Sequence, residues 1–137
     1  MKIAICSSIA FAKDVIDIKK KLEKMGHKVI APHNIHLYAE RTLAFETRRE
    51  STENKIKDDL IRDYFNLINN QEAILAINKD KHGIKNYIGG NTFLEMGFAH
   101  VLNKKIFLLN NVPDMLYSDE ILAFGVSVIN NDLTKIN

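Results

Sequence analysis

A chain of 137 residues, 46% hydrophobic and 26% charged, has the length and composition of one globular domain, able to bury a single core. Nineteen Lys and Arg against seventeen Asp and Glu leave a formal charge of +2, no footprint for a nucleic acid polymer or an anionic membrane. One cysteine, Cys6, excludes an internal disulfide framework and a multi-cysteine zinc site. The chain starts on a strand-like Lys2-Ile3-Ala4-Ile5-Cys6 without a signal-peptide core, and no apolar run approaches the ~20 residues that span a bilayer. One cytoplasmic domain over 1–137 is the expectation.

Ile3-Ala4-Ile5-Cys6 is a continuous apolar run, as in a strand covered on both faces. After Ser7-Ser8, Val15, Ile18, Leu22 and Met25 follow at helical spacing, and Gly26 stands where a helix C-cap glycine belongs. Lys28-Val29-Ile30-Ala31 is a second strand, ended by Pro32. Ile56, Leu60, Tyr64, Leu67 and Ile68 mark a long amphipathic helix, and Ala73–Ile77 a third strand. Asn91 to Leu102 is helical, Ile106–Leu109 a fourth strand, Ser118–Phe124 a short helix and Val126–Ile129 a fifth strand. Alternating strands and helices predict an α/β fold: a single-domain three-layer sandwich on a five-stranded, mostly parallel sheet, flavodoxin-like or Rossmann-like. The segment from Glu40 to Asp63 stands apart, with seven acidic and six basic residues. It is either a solvated, salt-bridged helical face or an excursion that rims the site or packs on a partner subunit.

In such a sheet ligands bind beyond the carboxyl ends of the strands, where the strand order reverses. That rule selects Cys6-Ser7-Ser8, Asn78 to Asn91, and Asn110-Asn111. Gly89-Gly90 permits unusual dihedrals just before a helix that Asn91 or Thr92 can cap. Glu95 follows, in about the first turn, as the lone formal charge between Asn91 and Leu102. A helix apolar nearly all round is a buried helix, so this carboxylate points into an enclosed place. Thr92 to Glu95 also has capping-box spacing, so the same glutamate reads either as a cap or as a functional group. Ser7 and Ser8, opening the first helix, suit a phosphate or ribose equally with a structural cap. No Walker loop and no G-x-G-x-x-G follows the first strand, which argues against an NTPase and a nicotinamide dehydrogenase. His33 and His36 have metal-compatible spacing without a third ligand. Cys6 reads as a small core residue, and His100 as a packed one.

Together the N-terminal strand with its small polar loop, Gly26-His27-Lys28-Val29-Ile30-Ala31-Pro32, and Ala73 to Phe98 resemble the nucleoside 2-deoxyribosyltransferase-like family, including the 2′-deoxynucleoside 5′-monophosphate N-glycosidases. The similarity spans most of the chain and is strongest from Gly89-Gly90 through Glu95-Met96-Gly97-Phe98-Ala99 to Lys104-Lys105-Ile106-Phe107. It implies cleavage of the N-glycosidic bond of a (deoxy)nucleoside or its 5′-monophosphate, by hydrolysis or transfer to another base, with Glu95 as nucleophile and no metal or organic cofactor. The family's second carboxylate lies on the helix before the third strand. Asp63 is nearby, although an ungapped alignment selects Tyr64, and Asp80 from the loop is the alternative. Ser7, Ser8, Asn78, Gly89, Gly90, Asn91 and Asn110 are the expected substrate contacts, and a homo-oligomer is implied. Gly89-Gly90-Asn91-Thr92-Phe93-Leu94-Glu95 also resembles the G-G-x-G-T-x-x-E motif of the lysine-decarboxylase-like phosphoribohydrolases, without its third glycine. A non-catalytic nucleotide-binding module is the reading from another class.

Overall fold

The apolar runs become the parallel core strands. In a computed structural model, which describes residues 1–40 and 59–137, β1 (Lys2–Cys6), β2 (Lys28–Ile30), β3 (Ala73–Ala76), β6 (Lys105–Leu108) and β7 (Ser127–Val128) form one sheet in the order β2-β1-β3-β6-β7. Every neighbouring pair is parallel, with Cys6 beside Ala76 and Ala76 beside Leu108. Side chains alternate across the sheet with period two. Ile3, Ile5, Leu75 and Phe107 join the core under α1 (Ala12–Lys24) and α2 (Ile35–Ala39). Ala4, Cys6, Ile74, Ala76 and Leu108 join a second core with Ile68 of α3 (Leu60–Asn69), Met96 and Ala99 of α4 (Gly90–Val101) and Ile121 of α5 (Ser118–Ala123). Three layers around a parallel five-stranded sheet is the expected architecture. No helix among the described residues is long and apolar enough to cross a membrane.

Helix ends follow local chemistry. Gly26 (φ +94°) ends α1: its N–H donates to Glu23 O and the His27 N–H to Leu22 O, a Schellman pair. The expected helix over Ile56–Ile68 is described from Leu60, so its first residues, like most of the charged segment 40–63, lie outside the described residues. One element departs from expectation. The segment after β3 is a two-stranded antiparallel hairpin, β4 (Lys79–Lys81) and β5 (Ile84–Tyr87), rather than a loop. His82 (φ +53°) and Gly83 (φ +72°) form its two-residue turn, the left-handed pair that matches strand twist. Both strands are polar and only partly buried, so the hydrophobic alternation that announces a strand is missing.

β1 leads by α1 to β2 on one side, whereas β3 pairs with β1 on the other, so the order reverses between β1 and β3. The crevice this creates opens beyond Cys6 and Ala76. The hairpin, leaving β3, stands over it.

Candidate active site

At the reversal, three side chains from three elements meet. Cys6, fully buried, ends β1 and its thiol donates to the Glu95 carboxylate. Tyr64 of α3 donates its hydroxyl to Ile5 O and lies close enough for the Cys6 and Glu95 charges to act on it. Edge-to-face contact of Phe65 with Phe98, centroids 5.2 Å apart, holds α3 against α4 and sets that approach.

Burial governs the protonation of all three. Glu95 is half-buried as a residue, but its carboxyl is enclosed, and burial pushes it up to about 7 against the opposing pull of the Cys6 hydrogen bond. Burial raises the Cys6 thiol well above its ordinary value, as does the neighbouring carboxylate. The Tyr64 hydroxyl is raised well above its ordinary value by burial and then by the charges of Cys6 and Glu95. Near neutrality Glu95 alone of the three changes charge.

The helix start corrects two expectations. α4 is capped at Gly89 (φ −75°, ψ 167°) without a side-chain bond, so neither Asn91 nor Thr92 caps it. Thr92 is buried within the helix and Asn91 is exposed on its first turn. Glu95 therefore sits in the second turn, out of reach of a capping box and beyond the strongest part of the helix dipole. Gly89 and Gly90 have no left-handed dihedral. What favours a small residue at 89 is the Tyr87 ring, 3.5 Å from where a Cβ would stand, while nothing lies within 4 Å of one at 90.

The remaining expected residues separate into three groups. Ser7 and Ser8 flank the crevice: Ser7 Oγ donates to Ser8 O at 3.0 Å, and Ser8 Oγ accepts from Ala10 N at 3.2 Å and from Lys81 Nζ at 3.1 Å. Asn78 has no exposed surface, and its amide clamps two strands: Nδ2 donates to Asn110 O and Asn111 O, and Oδ1 accepts from Asn110 N at 2.8 Å. Asn110 donates to Asn78 O at 2.8 Å and accepts from Asn131 at 2.9 Å. Asn78 therefore presents no polar atom to a ligand in this structure.

Of the two alternative carboxylates, Asp63 is exposed on α3, and its neighbour Tyr64 is the one beside Glu95. Asp80 lies in the hairpin and accepts from Asn86 N at 2.9 Å. It lines an open cleft of ≈ 420 Å³ with Phe11, Asp14, Lys79, Asn86 and Asn110. Glu95 is not on that lining. Phe11 belongs to the α1 face of the sheet and Cys6 to the α4 face, so cleft and carboxyl stand on opposite sides of the Cys6-Ser7-Ser8 loop. The perturbed carboxyl, rather than the open cleft, is the candidate place for chemistry. His33 and His36 are exposed around α2, and no group of three His, Cys, Asp or Glu gathers among the described residues. His100 is exposed beside Phe124 rather than packed inside.

Sequence reasoning placed Cys6 and Lys81 within the candidate ligand segments without giving either a part in the chemistry, and reached Tyr64 only by alignment. The ungapped alignment landing on Tyr64 was the one available signal. The other two depend on which strand end faces which helix or hairpin.

No protein-family model and no curated protein matches the chain. Among solved structures, the Clostridium botulinum CMP N-glycosidase BcmB is similar to it, with 16% identity over 94% of this chain and 87% of that one and a TM-score of 0.54. At this identity the likeness is one of fold.

Proposed function

We propose that the chain cleaves the N-glycosidic bond of a nucleoside or nucleoside 5′-monophosphate, with Glu95 as the nucleophile. The observation that carries this reading is the enclosed Glu95 carboxyl against Cys6 at the reversal of strand order. The fold likeness to a protein described as a CMP N-glycosidase supports it, as does the motif Glu95-Met96-Gly97-Phe98-Ala99.

Chemically, an ionised Glu95 oxygen bonds to the anomeric carbon as the carbon–nitrogen bond breaks and its electron pair leaves with the base. The departing base takes its proton from solvent, because Asp80 lines the cleft on the far side of the Cys6-Ser7-Ser8 loop from Glu95. Water or a second base then displaces Glu95 from the sugar, giving hydrolysis or transfer. Cys6 and Tyr64 stay protonated; the thiol holds the carboxylate through its hydrogen bond, and Tyr64, tied to Ile5 O, bounds the pocket. With Glu95 titrating at about 7, the nucleophilic form grows as pH rises through neutrality.

Glu95→Gln keeps side-chain volume and removes the electron pair that attacks. Turnover is expected to fall at least ~100-fold, about 2.7 kcal/mol of barrier, with fold and ligand binding retained. Free base released from a panel of nucleosides and monophosphates, with and without an acceptor base, reads the result. Normal turnover by the variant rejects the nucleophile, and saturable binding of intact ligand by the wild type favours a binding module.

The site lies at the shallow edge of a small sandwich, so the reading includes a homo-oligomer in which a second copy closes it. Ile61, Leu94, Val101 and Leu122, exposed on α3, α4 and α5, support such a contact. A monomeric mass by light scattering at micromolar concentration rejects it.

A further inference from the structure

The Cys6–Glu95 contact joins two elements, β1 and α4, and one helix is fastened to both of them. In β1, alternate carbonyls face the same neighbouring strand. Met1 O accepts from Lys28 N at 3.0 Å on the β2 side, while Lys2 O and Cys6 O accept from Glu72 N and Ile77 N, each at 2.9 Å, on the β3 side. Ile5 O therefore faces β2. With Lys2 beside Lys28 and Ala4 beside Ile30, the residue in place to donate to it is Pro32, which has no N–H. Ile5 is fully buried, so bulk water does not serve that carbonyl either. Tyr64 of α3 supplies the donor, its hydroxyl bonding to Ile5 O across 59 positions.

The adjacent residue ties the same helix to the other half of the pair. Phe65 packs edge-to-face on Phe98, which stands three positions after Glu95 in α4. Tyr64 and Phe65 thus set the approach of the strand end that carries the thiol to the helix that carries the carboxyl. Among the described residues, Cys6 from β1 and Tyr64 from α3 are the titratable groups whose hydrogen bonds or charges reach the Glu95 carboxyl, and α4 adds no other than the exposed His100 in its last turn. The Tyr64 hydroxyl commits its one hydrogen to Ile5 O and has none to give the carboxylate. Its effect on Glu95 therefore passes through the strand end.

We propose that Tyr64 is a positioning residue: by donating to the carbonyl that Pro32 leaves without a partner, it fixes the end of β1 so that the Cys6 thiol meets Glu95. Its bearing on catalysis rests on the glycosidase reading, but the carboxyl can be followed without turnover. Carbon-13 NMR reads the titration of the Glu95 carboxyl, identified by its loss in Glu95→Gln, in the wild type, Tyr64→Phe, Cys6→Ala and the double variant. Tyr64→Phe keeps the ring and removes the donor, so the titration is expected to move upward by about half a pH unit as the thiol bond that holds it down loosens. In the double variant it should lie no higher than in Cys6→Ala alone, since both losses act through one contact. An unmoved titration in Tyr64→Phe, or two shifts that add in full, overturns the assignment. In the wild type, the Tyr64 ring carbon that bears the hydroxyl should shift with the same midpoint as Glu95. That measurement needs no variant to fold, and a ring carbon indifferent to Glu95 also overturns the assignment. A raised titration in Tyr64→Phe with no base released from any nucleoside or monophosphate keeps the positioning role and rejects the glycosidase reading; base release with an unmoved titration does the reverse.

Discussion

Two polar clusters stand at the carboxyl edge of the same sheet, and they are built in opposite ways. Around Asn78 and Asn110 the amide groups and main-chain atoms pair with one another, at 2.8 to 3.2 Å, and Asn131 adds a further bond. Around Glu95 a carboxyl with room for several donors receives a thiol, a weak donor, and burial dominates its proton affinity. A satisfied network ties strand ends together and stays silent chemically. An under-satisfied enclosed carboxyl stores reactivity, because its charged form lacks partners that a substrate can supply. Both asparagines were expected to contact substrate; their hydrogen bonds give them a structural part instead.

The sharpest way to break this comparison is to damage the satisfied cluster. Asn78→Ala removes three hydrogen bonds and leaves the half-buried Asn110 N–H without its acceptor. It is expected to cost about 3 kcal/mol in denaturant unfolding. A loss under about 1 kcal/mol would show that the clamp is dispensable.

Glu95→Gln should do the opposite. A carboxyl raised from an unfolded value of 4.5 to about 7 has stability present below pH 4.5 that disappears as pH rises through 7. Glutamine has no charge to bury, so relative to wild type the variant gains about 2 kcal/mol at pH 8, after allowance for partial solvent access, and nothing at pH 4. Unfolding midpoints across that range read the slope; a flat difference would mean that the carboxyl is not enclosed.

A smaller effect tests the thiol. The Cys6 hydrogen bond holds Glu95 down, so Cys6→Ala should move the alkaline-rising limb of the turnover profile upward by about half to one pH unit. An unmoved limb would separate Cys6 from the titrating group. Smallest of all is Gly90→Ala. With no left-handed dihedral and nothing within 4 Å of the added methyl, it should stabilise the start of α4 by about 0.5 kcal/mol in thermal unfolding. A loss instead would show that residue 90 needs glycine for its backbone after all.

What the chain announces locally, the structure repeats. Ile3 to Cys6 and Ala73 to Ala76 are strands because continuous apolar residues can be covered on both faces of a parallel sheet. Val15, Ile18 and Leu22 are buried on one stripe of α1, and Gly26 ends it, because period and cap are properties of neighbours in sequence. Glu95 was legible for the same reason: one charge in an apolar helix. Tertiary structure alone decided what surrounds it. Tyr64 reaches Ile5 across 59 positions, Lys81 reaches Ser8 across 73, and Asn78 closes on Asn110 across 32. No periodicity encodes such pairs, since each depends on where two strand ends, a helix and a hairpin come to rest. That is why Asp63, one residue from Tyr64, looked equivalent in sequence and is exposed in space. A helix turns about 100° per residue, and one step takes a side chain from the pocket to solvent.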